Sequence, residues 1–357
     1  MLNLFQHLTK KTLKQVQCDE RLLSLQLYFF SMRYFFFLGS WLLVHGSSFA
    51  QQTELTRIAF GSCAMQSGEQ LIWNEITKNN PQLWIWLGDN IYAETEDMEK
   101  MKRDYEKLKT NPNYQLLLKQ CPVIGTWDDH DYGMNDVGKE YTKKKESQQQ
   151  HLDFFDVPKD SPRRKQEGVY NSYVYGEGER MVKIIMLDTR YFRDAPGENS
   201  DILGEAQWQW LEKELRESKA KINIIGSSIQ FVPNDHNFEK WGHFPKSRER
   251  LLKLIGSSNA QGVFFLSGDR HIAELSRYIG YEVKYPIYDL TSSGLTHDRA
   301  MYPFEYNSLR VGGVYFKRNF GMILIDWENK RITFQAQSLR GDIKVNHLIE
   351  FKEIGIQ

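Results

Sequence analysis

Acid, thiol, phenol and imidazole side chains recur in this sequence where short apolar runs stop. Arg57-Ile58-Ala59-Phe60-Gly61-Ser62 leads into Cys63, and Leu83-Trp84-Ile85-Trp86-Leu87-Gly88 leads into Asp89, with Tyr92 just beyond. Val123-Ile124-Gly125-Thr126-Trp127 runs into Asp128-Asp129-His130-Asp131, and Val263-Phe264-Phe265-Leu266-Ser267-Gly268 into Asp269-Arg270-His271. Each group alone has an ordinary explanation: a buried thiol, a carboxylate capping a helix, a hydrogen-bonded histidine. Their recurrence in register points to metal binding. Cys63 as thiolate, Tyr92 as phenolate and His271 as imidazole suit ferric iron, whose charge helps to deprotonate the first two. Asp89 has a second oxygen with which to bridge. Asp269 and the Asp128–Asp129 pair would offer a second ion mainly oxygen, which suits a hard cation such as calcium, with Asp128 and Asp129 as equal candidates.

Such side chains converge only if rigid elements deliver them. A run bulky on both alternating faces, such as Leu83 to Leu87, is a strand buried between two layers, and Gly88 lets the chain turn at its end. Arg57 to Ser62, Val123 to Trp127, Ile222 to Gly226 and Val263 to Gly268 read as further strands, and the run Ile287 to Leu290 precedes the turn Thr291-Ser292-Ser293-Gly294. Glu69 to Lys78 has helical spacing, Glu94 to Gln120 reads as two helices broken at Asn111-Pro112, and Lys139 to Phe155 is a polar, mostly helical stretch. Leu203 to Leu215 places Trp208, Leu211 and Leu215 on one helical stripe. Val169 to Tyr175 with Met181 to Leu187, and Gly321 to Trp327 with Arg331 to Gln337, read as hairpins, and Val345 to Ile356 as a β-rich tail. Strand–helix alternation early and hairpins later predict a layered α/β fold with a mixed sheet or two stacked sheets.

With 357 residues, 41% of them hydrophobic, and a formal net charge of zero, the chain can build a sizeable core and has no basic excess to suggest specific nucleic-acid binding. Met32-Arg33, the apolar run Tyr34 to Val44 and the small residues of Ser48-Phe49-Ala50 follow the order of a secretory signal peptide. The expected organisation is therefore a leader, 1–31, upstream of the true start, a signal peptide over 32–50 and a single catalytic domain over 51–357. A membrane anchor joining Leu22–Phe30 to Tyr34–Val44 would bury Arg33, at a cost of about 2.5–3.5 kcal/mol on insertion scales. The signal peptide is the reading adopted, which predicts a secreted, periplasmic or cell-envelope protein with no stable span after cleavage.

Phe60-Gly61-Ser62-Cys63, Gly88-Asp89-Asn90-Ile91-Tyr92, Trp127-Asp128-Asp129-His130-Asp131, Leu187-Asp188-Thr189-Arg190, Leu203-Gly204 with Gln207-Trp208, and Ser267-Gly268-Asp269-Arg270-His271 occur in an order that resembles the PhoD-like alkaline phosphatase/phosphodiesterase family of metallophosphatases. The resemblance spans roughly residues 57 to 327. It implies two stacked mixed β-sheets flanked by helices (α/β/β/α), an iron–calcium centre, and hydrolysis of phosphate mono- or diesters by a metal-activated water. It places His130 near the leaving group as acid or phosphate donor. Arg190 and Arg270 become candidates for bidentate contacts to phosphate oxygens, against the plainer role of ion pairs, for instance with Asp188. The expected partner is a phosphate ester: a small molecule, a phospholipid headgroup or a wall polymer. The same fold could instead serve a non-catalytic envelope protein with Cys63 and Cys121 joined as a disulfide. Serine hydrolysis through Ser227, Ser228 or the Thr291-Ser292-Ser293-Gly294 turn with His297 lacks a nucleophile-elbow pattern.

Overall fold

Alternation along the buried runs sets the layering of this protein, whose computed structural model describes residues 54–298 and 305–357. The chain forms β1 (Arg57–Gly61), α1 (Ile72–Lys78), β2 (Leu83–Leu87), α2 (Met98–Lys109), α3 (Pro112–Gln120), β3 (Val123–Thr126), the short α4 (Asp129–Tyr132) and α5 (Lys144–Phe154). It continues with β4 (Asn171–Tyr175), β5 (Val182–Met186), α6 (Gly204–Arg216), β6 (Ile222–Ser227), α7 (Pro245–Ser257), β7 (Val263–Ser267), β8 (Ala273–Tyr278) and β9 (Ile287–Ser292). Last come β10 (Arg310–Tyr315), β11 (Asn319–Asp326), β12 (Arg331–Ser338) and β13 (Ile343–Glu350). The leader and signal-peptide segments over 1–50 lie outside the described residues, as do 299–304. Among the described residues no helix is long and apolar enough to cross a membrane.

Two mixed sheets result, a six-stranded one in the order β13-β12-β11-β1-β2-β3 and a seven-stranded one in the order β10-β8-β9-β7-β6-β5-β4. Ile58, Phe60, Leu83, Ile85 and Leu87 of the first meet Ile184, Met186, Ile224, Phe264 and Leu266 of the second in one apolar layer. The alternate residues face outward. Trp84 and Trp86 pack with Trp73, Tyr105 and Tyr114 of the first helices, and Ile185, Ile225 and Phe265 with Trp208, Leu211 and Leu251 of α6 and α7. This is the expected α/β/β/α sandwich.

Parallel pairing fixes where the strands deliver their ends. β1, β2 and β3 run parallel, and so do β5, β6, β7 and β9. Their carboxyl ends therefore open on one side of each sheet, where loops can converge. β2 is braced from behind, since Trp73 meets Trp84 and Trp86 edge-on at centroid distances of 5.1 and 5.3 Å. Each such pair is worth about 0.5–1.5 kcal/mol beyond the area it buries.

Candidate metal centre

Backbone conformation turns the strand ends inward. Cys63, Asp89, Asp269 and His271 have φ values of 61°, 48°, 67° and 54°, the left-handed region that costs a non-glycine residue about 1–2 kcal/mol. The strain is met by convergence. Cys63 Sγ lies 3.3 Å from Asp89 Oδ2 and 3.1 Å from Ser293 Oγ. Tyr92 Oη lies 3.2 Å from the same Asp89 oxygen and 3.0 Å from His271 Nε2. Cys63, Asp89 and His271 bring one ligand-type atom each to within 4.8 Å of one another, and Asp89, Asp129 and His130 form a second such group. Asp89 belongs to both. Cys63 and Cys121 are separate, buried free thiols, so the disulfide of the alternative reading does not form.

Opposite Asp89 the donors are oxygens. Asp128 is fully buried and accepts from Arg190 Nε at 2.6 Å and from Ser228 Oγ at 2.6 Å, both on Oδ1. Its Oδ2 is buried with no hydrogen-bond partner among the described residues, as expected of an atom that a cation would satisfy. Asp129 accepts the Asp136 amide at 2.7 Å and, with Asp136 and Glu239, makes a further group of potential ligands.

Both arginines make ion pairs. Arg190 is fully buried and pairs with Asp128 and Glu239. Asp188, the instance of a partner named above, accepts the backbone amides of Arg190 and Tyr191, each at 2.9 Å, and Trp127 Nε1 at 2.9 Å. Arg270 reaches both Glu305 oxygens, at 2.8 and 2.7 Å, and Gln230 Oε1 at 3.1 Å, under the Phe238 ring. Each guanidinium so bonded holds its carboxylates in place.

Further residues organise the loops without being legible in the motifs. Asp131 accepts the backbone amides of Asp128 at 2.7 Å, Asp89 at 3.1 Å and Asn90 at 3.3 Å, tying the β2 and β3 loops to one carboxylate. Ser293 Oγ accepts the His271 amide at 2.9 Å. Glu94 Oε1 lies 2.8 Å from His130 Nδ1. The motif Asp-Asp-His-Asp could have flagged Asp131, whereas Glu94 and Ser293 carry no local signal.

Electrostatics describe a site built around positive charge. Burial, followed by Asp89 and Asp269, pushes the Cys63 thiol well above its ordinary range. Burial, then Cys63 and Asp89, does the same to the Tyr92 phenol. Burial and the surrounding carboxylates push Asp89 and Asp269 well up, and Asp128 goes to about 6 because burial outweighs Arg190. At Asp129 burial acts upward, but Arg190, His130 and the Asp136 amide together bring it below its ordinary value. Anionic ligand groups that oppose one another's ionisation are reconciled by a bound cation, which inverts the local balance. The donor set fits a metal centre.

The centre opens into a cavity of about 630 Å³ whose lining includes Asp89, His130, Asp269, Arg270, His271 and Phe238. Comparison with known proteins finds relatives of the chain and of its fold. Alkaline phosphatase D of Bacillus subtilis (strain 168) is 24% identical over 60% of this chain and 45% of its own, so the chain spans about half the length of that curated relative. A solved structure of PhoD superposes with a TM-score of 0.66 at 18% identity, covering 84% of this chain and 69% of that one. A dimetal phosphatase from Danio rerio shares the fold at a TM-score of 0.53 and 12% identity, over 84% of this chain and 99% of its own. GAP50, titled the anchor in the inner membrane complex of Plasmodium, does so at 0.57 and 12% identity, over 85% and 89%. The model of the PhoD-like phosphatase family matches residues 58–344, and with that match the chain belongs to the PhoD-like phosphatase family.

Proposed function

We propose that this protein is a secreted metal-dependent phosphoesterase that hydrolyses phosphate mono- or diesters. Its centre would hold ferric iron on the side of Cys63, Tyr92 and His271, and calcium on the side of Asp129, Asp128 and Asp269, with Asp89 shared. The observation that carries this reading is the shared carboxylate: Asp89 belongs both to the group with Cys63 and His271 and to the group with Asp129 and His130, and it lines the cavity. Thiolate, phenolate and imidazole favour iron, and an oxygen-rich set favours calcium. When bound, such a pair supplies charge neutralisation for the phosphate and a nucleophilic water at neutral pH.

The chain's own residues do the remaining work. Asp131 keeps the Asp89 and Asp128 backbones in register, and Arg190 with Ser228 holds Asp128 Oδ1, which leaves Oδ2 as the oxygen that would bind a cation. Their burial supports a positioning role for Arg190, and for Arg270 through Glu305, in place of direct phosphate contacts. His130, with Nδ1 turned to Glu94, would carry on Nε2 the proton that the leaving oxygen takes.

Elemental analysis and hydrolysis of bis-p-nitrophenyl and p-nitrophenyl phosphate test the reading together. Bound iron and calcium are expected, with activity at background in Asp89→Ala. Metal-free protein, or an Asp89→Ala variant as active as the parent, overturns it. Secretion rests on the pattern over residues 32–50, and a mature chain beginning near Gln51 is expected. N-terminal sequencing that finds residues before Met32 would refute it.

A further inference from the structure

One histidine packs against the iron-side residues while belonging to neither ligand group. His297 stacks on His271 with a centroid distance of 4.4 Å and an interplanar angle of 15°, and packs at a tilt against Tyr92 at 4.7 Å and 39°. Tyr92 in turn packs at a tilt of 31° against His130 at 4.2 Å. The rings of three strand-end loops and the turn after β9 thus form one continuous pile.

The turn that carries His297 is fastened to the Cys63 backbone. His297 Nδ1 lies 3.1 Å from the Cys63 carbonyl, and because a carbonyl only accepts, that nitrogen carries the proton and donates. Thr296 adds its amide and its hydroxyl to the same oxygen, each at 3.3 Å. The amides of Gly294 and Leu295 reach the Ser62 carbonyl at 3.2 and 3.1 Å. Gly294 has φ 95°, and a Cβ there would sit 2.7 Å from the His297 carbonyl, so the turn depends on glycine. Residues 293–297 therefore touch Cys63, His271 and Tyr92: Ser293 through its hydroxyl, His297 through its ring faces.

We propose that His297 is a positioning residue whose ring, pinned to the Cys63 carbonyl, fixes the planes of the Tyr92 phenol and the His271 imidazole. The inference rests on the reading of Cys63, Tyr92 and His271 as metal ligands. Rotation of the His271 imidazole about its Cβ–Cγ bond swings Nε2 away from a given point, whereas the Tyr92 oxygen lies on its own rotation axis, so the plane of the phenol sets only the direction of the oxygen's lone pairs. Hydrogen bonds to a ligand ring usually set that plane. Here the flat face of a third ring does so, and His297 acts through shape, with its one assigned proton already committed to the backbone.

The test compares wild type, His297→Ala, His297→Leu and His297→Phe as isolated with their metals. Readouts are metal retained against a chelator, any visible charge-transfer band, and kcat and KM. Loss of an orienting neighbour typically costs about 10–100-fold in metal affinity or activity. His297→Ala and His297→Leu are expected to release metal faster by that order, with any band shifted and with kcat falling while KM holds. His297→Phe restores the flat face without the nitrogen, so retention and kcat should return most of the way to wild type. If the alanine variant fails to fold, leucine against phenylalanine poses the same question. Variants that retain metal like wild type overturn the proposal, and so does a phenylalanine variant as impaired as leucine, which would assign the effect to the nitrogen. Wild-type protein that holds no metal overturns the metal centre itself, and the proposal with it.

Discussion

His130 reaches the cavity from the first turn of α4, with its ring against Tyr92 and its Nδ1 beside Glu94. A histidine that protonates a departing oxygen matters in proportion to how badly that oxygen needs the proton. His130→Ala should therefore lower kcat by about 10²–10⁴-fold for esters of aliphatic alcohols and far less for p-nitrophenyl esters. Glu94→Gln should fall between. Equal losses on both substrate types would remove the acid role. At this scale the sequence is informative where a ligand-type residue ends an apolar run, as Cys63, Asp89, Asp129 and His271 do. It is silent where the partner is distant and ordinary. Nothing local pairs Arg190 with Glu239 or Arg270 with Glu305. The assembled fold decides those partners.

Strands deliver the ligands only because their last residues turn at the right point. Gly88 has φ 92°, and a Cβ there would fall 2.4 Å from Asp128 Cβ and 2.8 Å from Asp128 N. Gly88→Ala thus combines a left-handed strain with a clash against rigid backbone, and should cost about 2–4 kcal/mol in a denaturant melt and reduce metal retention. Wild-type stability with full metal content would show that the β2 and β3 loops can part without consequence. Central strands such as β2 and β7 are legible because both faces are apolar, and the α2–α3 break is legible at Asn111-Pro112. β8 is not, since its buried Glu274 and Ser276 break the apolar signal and are satisfied by distant residues, Glu274 by Gln230 and Arg310 and Ser276 by Asn307. β10 lies at a sheet edge and contains Gly312-Gly313, and α7 opens with the polar run Lys246 to Arg250 before its apolar stripe begins.

On the scale of the whole molecule, acid sensitivity has an identifiable source away from the cavity. His151 is fully buried between Trp127 and Phe155, and neither ring nitrogen has a hydrogen-bond partner among the described residues. Burial, then Arg163, pushes its pKa well below the ordinary 6.5. Above that value the imidazole is neutral in both folded and unfolded chains, and it does not oppose folding. As pH falls below about 6.5 the unfolded chain takes up a proton that the folded one refuses, so stability declines toward the depressed folded value. His151→Phe should flatten that decline in melts between pH 7 and pH 5, and an unchanged slope would place the acid-labile group elsewhere.

The ligand groups are divided between the two sheets. Cys63, Asp89, Tyr92, Asp128 and Asp129 follow strands of the six-stranded sheet, while Asp269 and His271, with Ser228, Ser293 and His297, follow strands of the seven-stranded one. Neither sheet alone carries a complete ligand set, so a chain with one sheet formed could capture an ion only weakly. Ion uptake would then come late in folding, after the sheets have docked, and would report that the two halves have met. A cation arriving between them would act as a clasp, making the rate of assembly depend on ion supply as well as on the apolar layer behind it.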